Sequence, residues 1–151
     1  MKECVLLVTT QGGHLAQLLA LREWWADHDR VWVAPETPDV VDRLRDERVA
    51  TSYSPTTRNL PNLVRNLALA VRLLRRERPA LVVSAGAGVA VPFFLVAWLM
   101  RIPTVFIEVY DRVDSATMTG RLVGPFTTRR IVQWDQQLDV YPDATLVGPL
   151  L

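Results

Sequence analysis

The sequence holds a single cysteine, Cys4, in 151 residues, so neither a disulfide framework nor a cysteine metal site can form within one chain. A reducing, cytosolic compartment is the expected setting. There is little net charge: 17 basic against 16 acidic side chains leave +1, which argues neither for nucleic acid nor for an acidic partner. A signal peptide is not expected, since no basic segment, apolar core and cleavage site precede the first apolar run. Neither glycine-rich stretch completes G-x-G-x-x-G, and there is no Walker lysine. No repeat, linker or low-complexity tract divides the chain.

What is present is enough apolar material for one core. Half of the residues are hydrophobic in a 17.1 kDa chain, which predicts one domain over residues 1–151. Ala80 to Met100 is an uncharged run of 21 residues, long enough to cross a bilayer. Ser84, Gly86, Gly88 and Pro92 interrupt it, and that pattern suits a buried strand, loop and helix better.

The apolar periodicity alternates between strand and helix along the whole chain. Strands are predicted at Cys4 to Val8, Arg30 to Ala34, Val49 to Tyr53, Ala80 to Val83, Pro103 to Val109, Arg130 to Trp134 and Ala144 to Val147. Helices are predicted at His14 to Ala26, Val40 to Asp46, Thr57 to Arg78, Val89 to Arg101 and Ser115 to Val123. This is an α/β pattern, a doubly wound, mostly parallel Rossmann-like sheet with expected strand order 3-2-1-4-5-6. The long helix has Asn59 or Thr57 as cap candidates and Pro79 as its stop. Its apolar stripe is Leu60, Leu63, Val64, Leu67, Val71 and Leu74. Arg58, Arg65 and Arg72 recur every seven residues, with Arg75 and Arg76 thickening the basic end. Glu77 is the only acid between Arg48 and Ile107, so this face is suited to anionic head groups, or is simply a solvated arginine face.

In the doubly wound order, the loops after strands 1, 4 and 5 leave the same edge around one crevice. That would bring together TTQGGH, SAGAG and EVYDR. Gly12 and Gly13 let backbone approach a ligand, and His14 falls in the first turn of a helix. Ser84, Gly86 and Gly88 form the second turn, and Arg112 can balance an anion. Glu108 ends an apolar strand, a position that suits a carboxyl group to proton transfer near neutrality. Glu36, at the end of the second predicted strand, stands where a ribose-binding acid stands in dinucleotide folds.

Taken together, TTQGGHL, SPTTRN, VVSAGAGVAVPF, FIEVYDRVDSATMTGRL, VQW and the closing VGPL carry a resemblance. The chain resembles the membrane-anchoring, acceptor-side subunit of the split UDP-N-acetylglucosamine transferase of asparagine-linked glycosylation, with its bacterial exopolysaccharide counterparts. It is similar, more distantly, to the N-terminal half of the transferase that acts on the peptidoglycan lipid precursor. The resemblance implies the N-terminal half of a GT-B glycosyltransferase, with the UDP-sugar held mainly by a second Rossmann-like polypeptide. This chain would hold a polyprenyl-pyrophosphate-linked acceptor and attach peripherally to the cytosolic face of the membrane. Arg58, Arg65, Arg72, Arg75 and Arg76 and the apolar Val89 to Met100 helix would face the lipid. His14 and Glu108 would be the catalytic pair, one of them the general base of an inverting, metal-independent transfer. Gly12, Gly13, Ser84, Gly86, Gly88 and Arg112 would contact the acceptor or its phosphates. No cofactor, metal or nucleic acid is implied. Two rivals stand beside this reading: a nucleotide-binding or regulatory module without transferase activity, and a self-sufficient small enzyme.

Overall fold

A computed structural model describes residues 2–151 of the protein; Met1, the first residue of the expected domain, lies outside the described residues. Strands β1 (Cys4–Val8), β2 (Asp29–Ala34), β3 (Val49–Thr51), β4 (Leu81–Ser84), β5 (Thr104–Ile107), β6 (Arg129–Val132) and β7 (Thr145–Leu146) form one sheet. Every pairing is parallel, in the order β3-β2-β1-β4-β5-β6-β7. The order expected from the alternating pattern is therefore observed, with β7 added at the edge.

Successive side chains of a strand point to opposite faces, and the core divides accordingly. On one face Leu6, Val8, Val33 and Phe106 meet Leu69 and Leu73 of α4 (Leu60–Glu77) and Phe93 and Phe94 of α5 (Ala90–Leu99). On the other, Leu7, Trp32 and Ile107 meet Leu15 and Leu18 of α1 (Gly13–Leu19), Trp25 of α2 (Arg22–Trp25) and Val40 of α3 (Pro38–Arg43). The uncharged stretch from 80 to 100 divides into β4, a loop and α5, and no helix among the described residues is long and apolar enough to cross a membrane.

The main departures from the sequence expectation are in three helices. The segment expected as one helix from His14 to Ala26 is two, because the Trp25 indole donates to the Leu18 carbonyl at 2.8 Å and Leu21 N–H shares that oxygen. Helix α4 starts one turn late, capped by Asn59, whose side chain accepts from Asn62 N–H at 3.0 Å. Its inward face is also rotated: Asn62 and Asn66 are buried, whereas Leu60, Leu63 and Val64 of the expected stripe are exposed. Asn66 both accepts from Tyr53 N–H and donates to the Tyr53 carbonyl at 2.9 Å, and Asn62 donates to the Pro55 carbonyl. This end of α4 thus grips the loop after β3 through polar groups and leaves its leucines outside. Helix α6 (Met118–Val123) begins later than expected, at the Thr117 cap.

Candidate functional site

Because all strands run in parallel, their carboxyl ends and following loops share one edge. Around the ends of β1, β2, β3 and β4 these loops enclose a cleft of about 560 Å³. Thr10, Gln11 and His14 come from the loop after β1, and Pro35 and Thr37 from that after β2. The loop after β3 supplies Ser52 and the run Ser54 to Thr57, and the loop after β4 supplies Ala87 to Val89. Hydroxyl groups dominate the wall, and among the described residues His14 is its only titratable side chain.

His14 sits in the first turn of α1 with its imidazole Nδ1 2.9 Å from the Ala85 carbonyl oxygen. A carbonyl can only accept, so Nδ1 carries a proton, and in the neutral ring the lone pair is on Nε2. Gly86 permits this arrangement: a Cβ there would lie 2.9 Å from both Cε1 and Nδ1 of the ring, and its φ of +112° is unfavourable for any other residue. Gly88 does the same for the loop after β3, since a Cβ would come within 3.0 Å of Thr56 Oγ1. These two glycines let the protein's own side chains close in, a different task from the ligand approach expected of them. Ser84 is fully buried, with its hydroxyl exchanging hydrogen bonds with the Gly86 backbone, so it shapes the turn and is not presented to the cleft. Gly12 N–H donates to Asp39 Oδ2 at 2.8 Å and is likewise occupied. Gly13 has open space where a Cβ would stand.

Glu108 lies at the same edge but outside the cleft, at 1% exposure. Its Oε1 accepts from Thr117 Oγ1 at 2.8 Å and Val109 N–H at 3.1 Å; Oε2 accepts from Tyr141 Oη at 2.7 Å and Thr117 N–H at 3.3 Å. The crevice expected to gather all three loops is therefore displaced toward β3, and the loop after β5 is not part of its wall. Arg130 stacks on the Tyr141 ring at 3.9 Å from the centroid and donates to the Gly120 carbonyl. Burial, then the bond to Glu108, pushes the Tyr141 phenol above its ordinary range. Burial lowers the Arg130 guanidinium below its usual value, with Tyr141 and Glu108 opposing that shift. Gly120 makes room for the cluster, because a Cβ there would lie 2.5 Å from Glu108 Oε2. Arg112 is exposed and donates to Ser115 Oγ at 3.3 Å. Among the described residues, no group of three metal-ligating side chains occurs.

The model of the family described as "Oligosaccharide biosynthesis protein Alg14 like" matches residues 40–150, nearly three quarters of the chain. The chain belongs to this Alg14-like family. A relative, the UDP-N-acetylglucosamine transferase subunit ALG14 of Yarrowia lipolytica, is 29% identical over 92 residues, covering 57% of this chain and 43% of that protein. A UDP-N-acetylglucosamine–N-acetylmuramyl-(pentapeptide) pyrophosphoryl-undecaprenol N-acetylglucosamine transferase of Anaeromyxobacter sp. is 36% identical over 86 residues, 57% of this chain and 20% of that one. The Alg14-like chain thus spans less than half the length of either relative. Among solved structures, MurG of Acinetobacter baumannii superposes with a TM-score of 0.74 at 18% identity, over 89% of this chain and 42% of MurG. The UDP-N-acetylglucosamine 2-epimerase of Rickettsia bellii superposes with 0.76 at 10% identity, over 99% of this chain and 46% of that one. The shared architecture is one Rossmann-like half of a GT-B-type molecule.

His14, singled out in the sequence, lines the cleft, whereas most of the wall around it was not singled out. Thr10, Thr37, Ser52 and Thr56 carry no spacing signal; their common site exists only once the loops after β1, β2 and β3 are folded together. The SPTTRN motif was visible, but as a prelude to α4.

Proposed function

We propose that this Alg14-like chain is the acceptor-binding subunit of a two-component glycosyltransferase. The pair would transfer a sugar, N-acetylglucosamine or a related one, from a UDP-sugar to a polyprenyl-pyrophosphate-linked glycan at the cytosolic membrane face. One observation carries the reading: His14 is fixed through Nδ1 to Ala85 and lines a cleft walled by hydroxyls. The names of the transferase relatives and the match to less than half of MurG agree with it.

In this mechanism an acceptor hydroxyl in the cleft gives its proton to His14 Nε2 as its oxygen attacks the sugar's anomeric carbon. The bond from that carbon to the UDP oxygen breaks, the configuration inverts, and UDP leaves with the electron pair. The Ala85 carbonyl stabilises the imidazolium that forms, because the Nδ1–H bond strengthens with charge. Glu108 acts one step removed, holding Thr117 and Tyr141 and hence the loop after β5. Donor contacts belong to the second polypeptide.

The outer face of α4 supports peripheral attachment. Leu60, Leu63 and Val64 are exposed beside Arg58 and Arg65, and Arg72, Arg75 and Arg76 are exposed further along. Helix α5 contributes less than its composition suggests, for only Trp98, Leu99 and Met100 at its end are exposed. Binding to anionic liposomes at low salt, weakened as salt rises, is the expected result.

The decisive experiment co-expresses the chain with a candidate donor-binding partner and supplies labelled UDP-sugars and membrane lipid. Transfer is expected from the pair and not from the chain alone, with His14→Ala reducing it by about 10²–10⁴-fold. Turnover by the chain alone, or full transfer by His14→Ala, overturns the reading.

A further inference from the structure

The last paired residues of the sheet are Val8, Ser84, Ile107 and Val132, and the loops beyond β1, β5 and β6 remain tied together. Two buried carboxamides make the tie. Gln17, 3% exposed on α1, accepts through Oε1 from Tyr110 N–H at 2.9 Å and from Gln133 Nε2 at 2.6 Å. Its Nε2 donates to the Gly13 carbonyl at 3.1 Å. Gln133, 2% exposed after β6, donates to the Glu108 carbonyl at 3.0 Å and accepts from Leu150 N–H at 3.0 Å. Backbone partners fix which end of each amide is oxygen: Tyr110 and Leu150 offer N–H, whereas Gly13 and Glu108 offer C=O.

β1 and β5 are not neighbours, since β4 lies between them. The glutamine pair therefore joins, over the end of β4, loops that the sheet itself does not join. At one end of the link is Gly13, whose next residue is His14, one turn before Gln17. The imidazole depends on that turn, because Nδ1 must reach the Ala85 carbonyl with its ring packed where a Cβ on Gly86 would stand. Displacing a reacting group by about 1 Å can cost about 10²-fold in rate.

We propose that Gln17 and Gln133 are positioning residues for His14. Their carboxamides lock the first turn of α1 to the loops after β5 and β6, holding the imidazole in one tautomer over the cleft. The kinetic consequence rests on the transferase reading; the structural one does not.

The test uses Gln17→Met and Gln133→Met, which keep length and lose the hydrogen bonds. Val40→Ala, in the core on the α3 side, serves as a destabilised control. Ring ¹⁵N shifts of His14 at a pH where the imidazole is neutral report its tautomer. The expected result is one Nδ1–H tautomer in the wild type and in Val40→Ala, and a mixture in both glutamine variants. In the assembled transferase, kcat falls about tenfold or more with the acceptor KM within about twofold, and neither glutamine substitution lowers the rate further once His14→Ala is present. An unchanged His14 tautomer in both glutamine variants overturns the proposal, as do losses that add to that of His14→Ala. If a Met variant does not fold, Gln17→Glu tests the Gly13 end of the link, since it keeps the acceptor for Tyr110 and Gln133 but loses the donor to Gly13, and a mixed His14 tautomer is again expected. Absence of transfer by the wild-type pair sinks the transferase reading alone, because the tautomer still decides the positioning role.

Discussion

The carboxyl edge of the sheet carries two polar clusters built on opposite principles. Around β1 to β4, hydroxyls and one imidazole line an open cleft whose Thr10, Ser54, Thr56 and Thr57 hydroxyls make no protein hydrogen bond among the described residues. Around β5 to β7, Glu108, Gln133 and Tyr141 are turned inward and matched to the protein's own donors and acceptors. Polar residues at a sheet edge are thus not all addressed to a ligand. The distinguishing property is whether their lone pairs and N–H groups are already spent inside the fold. By this measure the Glu108 carboxylate is spent on four internal donors, whereas His14 makes one side-chain bond, through Nδ1.

The sharpest way to break this contrast is to exchange the expected losses. His14→Ala should abolish most transfer while leaving the urea midpoint close to wild type, since Nδ1 makes its one bond to Ala85. Glu108→Ala should do the reverse, losing about 3 kcal/mol or more of stability in urea titration, because four donors lose their acceptor at once. Glu108→Gln should also destabilise, as every partner donates and an amide brings a further donor. A Glu108→Gln protein of full stability but without transfer would move Glu108 into the chemistry and erase the distinction.

Glycines sharpen it further. Gly120→Ala drives a methyl to 2.5 Å from Glu108 Oε2 and 2.7 Å from Tyr141 Oη, and about 1–3 kcal/mol of destabilisation is expected from thermal or urea melts. Gly13→Ala, at the open cluster, meets nothing within 4 Å and should melt within about 0.5 kcal/mol of wild type. Equal losses at the two positions would mean that the second cluster is looser than its hydrogen bonds suggest.

The sheet order was legible because strand and helix periods alternate cleanly, and β1 was read to its ends at Cys4 and Val8. Less visible were features that depend on a side chain reaching a distant backbone. The break between α1 and α2 needs Trp25 to reach Leu18, and the face that α4 turns inward needs Asn62 and Asn66 to meet the loop after β3. The site followed the same rule. His14 stood out in the sequence because a glycine pair precedes it, but the contacts of Gln17 and Gln133 did not, for a glutamine in VQW looks like any other until Leu150 and Glu108 are folded beside it. Glu108 and His14 carried similar weight in sequence, since burial of the carboxylate by Thr117 and Tyr141 comes from residues 9 and 33 positions away.

The smallest effect lies in alkaline solution and separates the clusters by what they titrate. The Tyr141 phenol is pushed up by burial and by its bond to Glu108, so the folded protein holds that proton more tightly than the unfolded chain does. Its contribution is fully present below the ordinary phenol value of about 10 and is lost as pH climbs beyond it. Wild type should therefore exceed Tyr141→Phe in melting temperature at neutral pH, and the gap should narrow above about pH 10. No counterpart is expected in the cleft, whose wall holds no phenol. A gap for Tyr141→Phe that stays constant to high pH would show the phenol exchanging its proton with solvent as an exposed tyrosine does, and the cluster around Glu108 would then be as open as the cleft.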